Sequence, residues 1–428
     1  MFDKIIFDVS MLVVNKRGKK IGNMYRNPSE MEPLLPSRAP DLEDMAREVV
    51  SSSSVLGGQL HPITQQAVIE LLRLINSYYS NLIEGHSTHP VDIERAMRQD
   101  YAADPAKRDL QQESLSHIKC QREVEARLRE TPDLNIADSD FISWLHRIFY
   151  EQLPDELRWV RDKDTGERVE VRSGEFRQRE VIVGRHVGPF WEQLPAFLSR
   201  FATAYTPGKY HGVMPLIAIA SSHHRLIWIH PFLDGNGRVT RLYTDACFLR
   251  LPLPGYGLWN VSLGLARQRN EYMAALSGAD AHRYNDYDGR GNLSNKGLTS
   301  FCRFFLEVCL DQIVFMQDLL KLDSLLDRIS GYVSMRGAKL IPGPKPEYQS
   351  LKPEATYMLQ EALLRGEIGR GDIIRVTGMA ERTGRELLRQ LLDEGLLVSD
   401  SPKGAVRMSF PTHVAGHLFP DLYPAQTS

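Results

Sequence analysis

The feature that most constrains this chain is an apolar stretch, Val213 to Ile229, that runs directly into His230-Pro231-Phe232-Leu233-Asp234-Gly235-Asn236-Gly237-Arg238-Val239-Thr240-Arg241. A segment apolar on most sides reads as a helix buried at the centre of a fold. The polar loop at its end opens into a second helical run from about Val239. Free backbone N–H groups and the positive end of the dipole both point out of a helix start, so such a loop builds an anion site. Gly235 and Gly237 let the backbone approach a ligand. Arg238 and Arg241 put two cations in the first turns of the helix. That placement is unfavourable unless an anion is present, so the pair points to a polyphosphate. Asp234 can hold Mg²⁺ together with a phosphate oxygen, and Asn236 can donate to a phosphate. His230 is the motif side chain suited to accept a proton near pH 7. A histidine at the end of a buried helix is more often structural; the set carries the reading, not any one member.

Composition excludes several classes. The formal net charge is -2, so no general affinity for nucleic acid or anionic membrane is implied. Cys120, Cys247, Cys302 and Cys309 form no CxxC pair, which points neither to zinc nor to a disulfide framework and fits a reducing, cytoplasmic setting. Asp3 and Asp8 interrupt the apolar start, against a signal peptide. No apolar run approaches the roughly 18 residues of a membrane span.

Taken in order, residues 1–38 stay unassigned, with a strand from Lys4 to Val14 and a proline-punctuated linker from Pro28 to Pro36. Residues 39–132 read as a helical region. Its firmest helix is Ile63 to Ile83, with Gly85 as a C-cap. Glu84 lies at a helix exit, where the dipole disfavours an acid. It is either a solvated surface residue or the partner of a distant cation. A long charged helix runs from Pro105 to Glu130. Residues 133–328 form the catalytic core, opening on an amphipathic helix from Ser139 to Gln152. Within it, 155–188 reads as a β-hairpin or flap carrying Val181, Ile182 and Val183. Its exposed edge can pair with an extended peptide; a plain structural hairpin reads equally well. Leu265 to Leu276 is one helix, and Gly297 to about Leu326 one long helix. Residues 329–353 are a linker. Residues 354–428 have the element order of a winged helix-turn-helix, with Arg382, Arg385 and Arg389 on one face. Residues 365–407 hold eight Arg/Lys against seven Asp/Glu. A DNA-binding module is usually clearly basic, so protein docking stands beside DNA.

His230 to Arg241 is identified as the signature of the Fic family, HPFx(D/E)GNGRxxR, without departure. His223 and Arg269-Asn270-Glu271-Tyr272 resemble further family features, and the resemblance spans roughly 40–310. It implies a mainly α fold, a Fic helical core with a β-hairpin flap, to which the winged-helix region is appended. It implies transfer of AMP from ATP to a Tyr, Ser or Thr hydroxyl of a target protein. His230 would be the base and Asp234 would hold Mg²⁺. Asn236 with the Gly235 and Gly237 backbone would stabilise the α-phosphate, Arg238 the β-phosphate and Arg241 the γ-phosphate. Tyr272 would contact the nucleotide, although Met273 replaces the second tyrosine some relatives carry. Val181 to Val183 would align the target by main-chain pairing. Ser80-Asn81-Leu82-Ile83-Glu84-Gly85 resembles the family's inhibitory motif, (S/T)xxxE(G/N), so Glu84 would pair with Arg241, as one carboxylate can fill one guanidinium fork. Homodimers are common in the family. Two other readings remain: removal of AMP by the same site, and a DNA-binding regulator with a Fic sensor.

Overall fold

Prolines set the starts of the first four helices. In the computed structural model, which describes residues 4–7, 25–37, 39–161, 166–184, 186–345 and 347–424, α1 (Pro40–Gly57), α2 (Pro62–Ile83), α3 (Pro90–Met97) and α4 (Pro105–Glu130) each carry Pro in the first turn. There its missing N–H is no loss. His61, His89 and Asp104 cap α2, α3 and α4 by accepting from the backbone two residues on. Next come α5 (Ser139–Tyr150), α6 (Leu194–Tyr205), α7 (Met214–Ile229) and α8 (Asn236–Leu249). The apolar α7 is buried along almost its whole length, flanked by α6, α8 and α11 (Asn295–Leu319). Its companion α8 runs out of the glycine loop, so the motif lies between two central helices.

The helix expected over 265–276 is two, α9 (Val261–Arg267) and α10 (Arg269–Ala279). The long helix expected to Leu326 is also two, α11 and α12 (Leu322–Gly337), because Lys321 is extended (φ -56, ψ 119) and the helix restarts after it. The linker drawn over 329–353 is therefore wrong in its first part. Apolar spacing continued through the α11–α12 break and hid the true boundary. The stretch Pro28–Pro36 is not a plain linker either. Pro28–Met31 is a 3-10 turn with a capping box between Asn27 and Glu30, and Met31 is fully buried.

Strands are short. A three-stranded sheet has the order β1 (Lys4–Phe7), β4 (Glu180–Val183), β5 (His186–Val187); β2 (Trp159–Arg161) pairs with β3 (Arg168–Glu170). Of the strand expected over Lys4–Val14, residues 8–14 lie outside the described residues. The C-terminal unit holds α13 (Ala355–Arg365), β6 (Glu367–Ile368), α14 (Arg370–Arg375), α15 (Glu381–Asp393), β7 (Leu397–Val398), β8 (Val406–Met408) and α16 (Thr412–Leu418). Its first three helices and β7–β8 come in the order expected, whereas β6 and α16 were not expected. Its sheet has the order β6-β8-β7. Among the described residues no helix is long and apolar enough to cross a membrane.

The helix α12 belongs to this unit. Arg336 makes a bidentate pair with Glu394 after α15, at 2.8 and 3.0 Å, with both side chains wholly buried. Removing one member of a buried pair strands the other charge, at about 3–5 kcal/mol. Arg336→Ala should lower the unfolding free energy of the C-terminal unit by that amount in urea titrations. A loss under about 1 kcal/mol would mean the pair does not tie α12 to α15.

Candidate active site

The motif loop is held rigid from three sides. His230 ends α7 in the left-handed region (φ 50, ψ 61), a conformation a non-glycine residue keeps only when its surroundings impose it. The Arg177 guanidinium donates to the His230 carbonyl at 2.8 Å, and the Arg177 backbone N–H donates to Pro231 O at 2.9 Å. The Asn236 side chain accepts from Phe232 N at 2.9 Å and donates to Phe232 O at 2.8 Å. His146 stacks on Phe232. Gly235 has φ +76, and a Cβ there would lie 2.6 Å from the Tyr150 ring. Arg177 escaped the sequence reading. It lies in a polar run, and apart from the nearby Glu180 its hydrogen-bond partners are backbone carbonyls, which no spacing announces.

This rigidity sets the chemistry of His230. Its Nδ1 lies 3.2 Å from Ile227 O. A carbonyl can only accept, so Nδ1 carries the proton and Nε2 is the basic nitrogen. His230 lines a cavity of about 580 Å³ together with Gly237, Arg241, Tyr272, Met273 and Val183. That volume lies within the range of small-molecule and cofactor sites.

The two motif arginines are buried, and each is paired with a carboxylate. Arg241 donates to Glu84 Oε1 at 2.8 Å, to Ser80 Oγ at 2.9 Å and to Ser80 O at 2.8 Å. Glu84 leaves α2 beside Gly85 (φ +91), and its carboxylate reaches the first turn of α8. A Cβ on Gly237 would lie 2.0 Å from Glu84 Oε1, so Gly237 is what makes room for that oxygen. Glu84 is thus unfavoured by the dipole of its own helix and favoured by that of α8.

Arg238 was expected to face a phosphate. It is ion-paired with Glu113 of α4, and Glu113 also contacts His86 Nδ1 at 2.7 Å. Asp234 Oδ2 lies 3.5 Å from the same guanidinium, which sits over the Phe149 ring. Burial pulls Arg238 down to about 10, still protonated at neutral pH. Glu113 was missed because α4 reads as a charged helix with a solvated face. Its buried face is mixed instead, polar at Gln111, Glu113, Ser114, His117 and Gln121 beside Ile118, Cys120, Val124 and Leu128, and hydrophobic spacing cannot see the polar members.

Tyr272 borders the cavity, but its hydroxyl is bonded to His223 Nε2 at 2.8 Å, while His223 Nδ1 meets Thr244 Oγ1 at 2.7 Å. Thr244 spends its own proton on Thr240 O, so His223 donates from Nδ1 and accepts at Nε2. Burial and the nearby Arg241 hold His223 well below its ordinary value. This neutral chain braces α8 from behind. Met273 and Leu276 add apolar lining on the same side.

The flap corrects one expectation. Val181 and Ile182 are buried, and β4 is paired on both sides: with β5 at Ile182↔Val187 and Val183↔His186, and with β1 at Lys4↔Val183 through Phe7↔Glu180. The edge read as exposed is covered by the chain's own N-terminal strand. Among the described residues no group of three His, Cys, Asp or Glu could hold a metal by itself. Asp234, a single carboxylate beside the start of α8, fits Mg²⁺, which usually keeps waters and takes its other ligands from substrate phosphates.

Glu113→Ala should leave Arg238 buried without its main counter-charge, at about 3–5 kcal/mol of unfolding free energy. Glu113→Gln should lose less, because it still accepts a hydrogen bond. Equal, sub-kilocalorie effects in denaturant titrations would show that Glu113 does not hold Arg238.

Residues 136–247 match the Fic/DOC family. The chain is 28% identical over 244 residues to the protein adenylyltransferase Fic of Culex quinquefasciatus, covering 57% of this chain and 44% of that protein. It is 36% identical over 84 residues to the protein adenylyltransferase Fic of Drosophila grimshawi, covering 20% of this chain and 17% of that protein. It therefore spans less than half the length of either curated relative. Among solved structures, Fic-1 of C. elegans (residues 134–508) superposes with a TM-score of 0.51 at 18% identity, over 66% of this chain and 74% of that one, a likeness of fold. The matched residues 136–247 hold the glycine loop and its paired arginines between α7 and α8, and this part of the chain is a Fic/DOC-like domain.

Proposed function

We propose that this domain transfers AMP from ATP to a hydroxyl side chain of a target protein, and that Glu84 holds it off. The observation that carries the reading is the geometry around α8: a histidine with a basic Nε2 and the buried Arg241 guanidinium on one cavity at a helix N-terminus, with Arg238 buried beside it against Glu113. The target hydroxyl oxygen bonds to the α-phosphorus as the bond from that phosphorus to the pyrophosphate oxygen breaks. His230 takes the hydroxyl proton at Nε2, and pyrophosphate leaves. The Gly235 and Gly237 backbone bears on the charge that builds at the α-phosphate. Asn236 keeps the loop in shape through Phe232. Arg241 receives the γ-phosphate, and Arg238, held by Glu113, adds positive charge at the start of α8 behind the β-phosphate. Asp234 would hold Mg²⁺, which supplies charge neutralisation at the phosphates when bound.

Autoinhibition follows from occupancy. The Glu84 carboxylate and a phosphate oxygen are both anions, and both want Arg241 and the start of α8. Only one can be there. The DNA-regulator reading has less support: on α15, Arg385 pairs with Glu381 and Arg382 with Glu386, which offsets the positive face that phosphate-backbone contact needs.

With radiolabelled ATP, Glu84→Gly should raise AMP incorporation into protein about tenfold or more, the equivalent of ~1.4 kcal/mol. His230→Ala in that background should abolish it. If Glu84→Gly labels no better than wild type, the inhibitory role fails. If wild type instead releases AMP from the modified protein, the reaction runs toward removal.

A further inference from the structure

The sheet beside the cavity holds a segment that the chemistry above does not use. Strand β1 adds to β4 in antiparallel register, Lys4↔Val183, Ile5↔Ile182, Ile6↔Val181 and Phe7↔Glu180. The other edge of β4 is taken by β5, so β1 lies on the one remaining edge of β4. The Lys4 end of β1 is at the catalytic side, because its partner Val183 borders the cavity with His230. The flap is itself fixed to the motif, since Arg177 holds His230 O and His186 Nε2 lies 2.7 Å from Trp228 O. A strand on β4 is therefore placed rigidly relative to the base.

We propose that β1 is a resident occupant of this β4 edge, and that an extended target segment must displace β1 before it can pair there. Main-chain pairing in strand addition is largely independent of sequence, so β1 and a target strand compete for the same N–H and C=O groups. Lys4-Ile5-Ile6-Phe7 is rich in β-formers and shows what the edge accepts. A tethered strand competes at an effective concentration of order millimolar, which excludes weak or transient partners. The pairing covers only four residue pairs, short enough for a stronger strand to displace it. The regulatory meaning rests on the transfer reading above; the competition for the edge does not.

The test uses the full chain and a fluorescein-labelled peptide of residues 1–10, MFDKIIFDVS, read by fluorescence anisotropy. Three proteins are compared: wild type, the double variant Ile5→Pro/Ile6→Pro, and a second variant with K4G, I5S, I6G and F7S. Proline removes ladder donors; the Gly/Ser variant weakens the strand without it. Circular dichroism identifies folded variants, and if the proline variant fails to fold the Gly/Ser variant decides. The peptide should bind a β1-disrupted chain about tenfold or more tighter than wild type. Unlabelled MFDKIIFDVS should compete, and the same peptide carrying I5P and I6P should not. Equal binding to wild type and a folded variant, or no binding to any, would overturn the proposal. In a parallel arm, disrupting β1 in Glu84→Gly protein should raise labelling of host-lysate proteins from radiolabelled ATP. If Glu84→Gly labels nothing at all, the transfer reading fails by itself, and peptide binding still decides the role of β1.

Discussion

The contact on which this structure turns is a carboxylate at the start of α8. A helix N-terminus offers unpaired N–H groups and a positive dipole end. Here Arg241 and Arg238 add full charges within the first turns. Such a position is strongly unfavourable without an anion, and in this chain Glu84 is that anion. Its carboxylate stands at the helix N-terminus, 2.8 Å from Arg241 Nη2, above a glycine that leaves it room. On the proposed function, inhibition and ligand binding are one property, because a position that suits phosphate also suits the Glu84 carboxylate.

The same reasoning explains why the arginines are buried at all. A buried guanidinium needs a counter-charge and satisfied donors. Arg241 finds Glu84 and both oxygens of Ser80; Arg238 finds Glu113. The two pairs differ in permanence. Glu113 is buried at 1% exposure in the middle of α4, whereas Glu84 sits at the end of α2 with 27% exposure. One pair is built into the core, and the other stands at an element end, where a shift disturbs less packing. That asymmetry makes Arg241 the exchangeable contact and Arg238 the fixed one.

Much of this was legible in the sequence because it is local. The helix–loop–helix of 213–249 follows from hydrophobicity and glycines, and the end of α2 follows from its apolar spacing and Gly85. The link from Glu84 to Arg241 came from a motif resemblance; its physical reason, a carboxylate in conflict with one dipole and in accord with another, needed the packing of α2 on α8. What stayed hidden is tertiary. Arg177 binds mainly backbone, Glu113 is a polar member of a mixed buried face, and β1 pairs with a strand more than 170 positions away. The α11–α12 break at Lys321 is a single extended residue inside continuous apolar spacing. Pattern reasoning finds faces of elements, and each of these depends on which face meets which.

The position of Glu84 is finally a matter of helix register. Along α2, Asn76, Ser80 and Glu84 recur at one-turn spacing, and each meets α8: Asn76 Nδ2 donates to Asp245 at 2.8 Å, while Ser80 and Glu84 both meet Arg241. Burial pushes the Asp245 carboxyl up, and the Asn76 and Tyr256 donors hold it against that push. The same helix is tied to the C-terminal unit, by Thr64 Oγ1 to Leu363 O at 2.8 Å and Tyr79 OH to Leu422 O at 3.1 Å. A slide of α2 by one residue, about 1.5 Å along its axis, would misalign the contacts with α8 together with those to the C-terminal unit. The Glu84 carboxylate is therefore not positioned by its own ion pair alone. Its place is fixed by a helix that both α8 and the C-terminal unit grip.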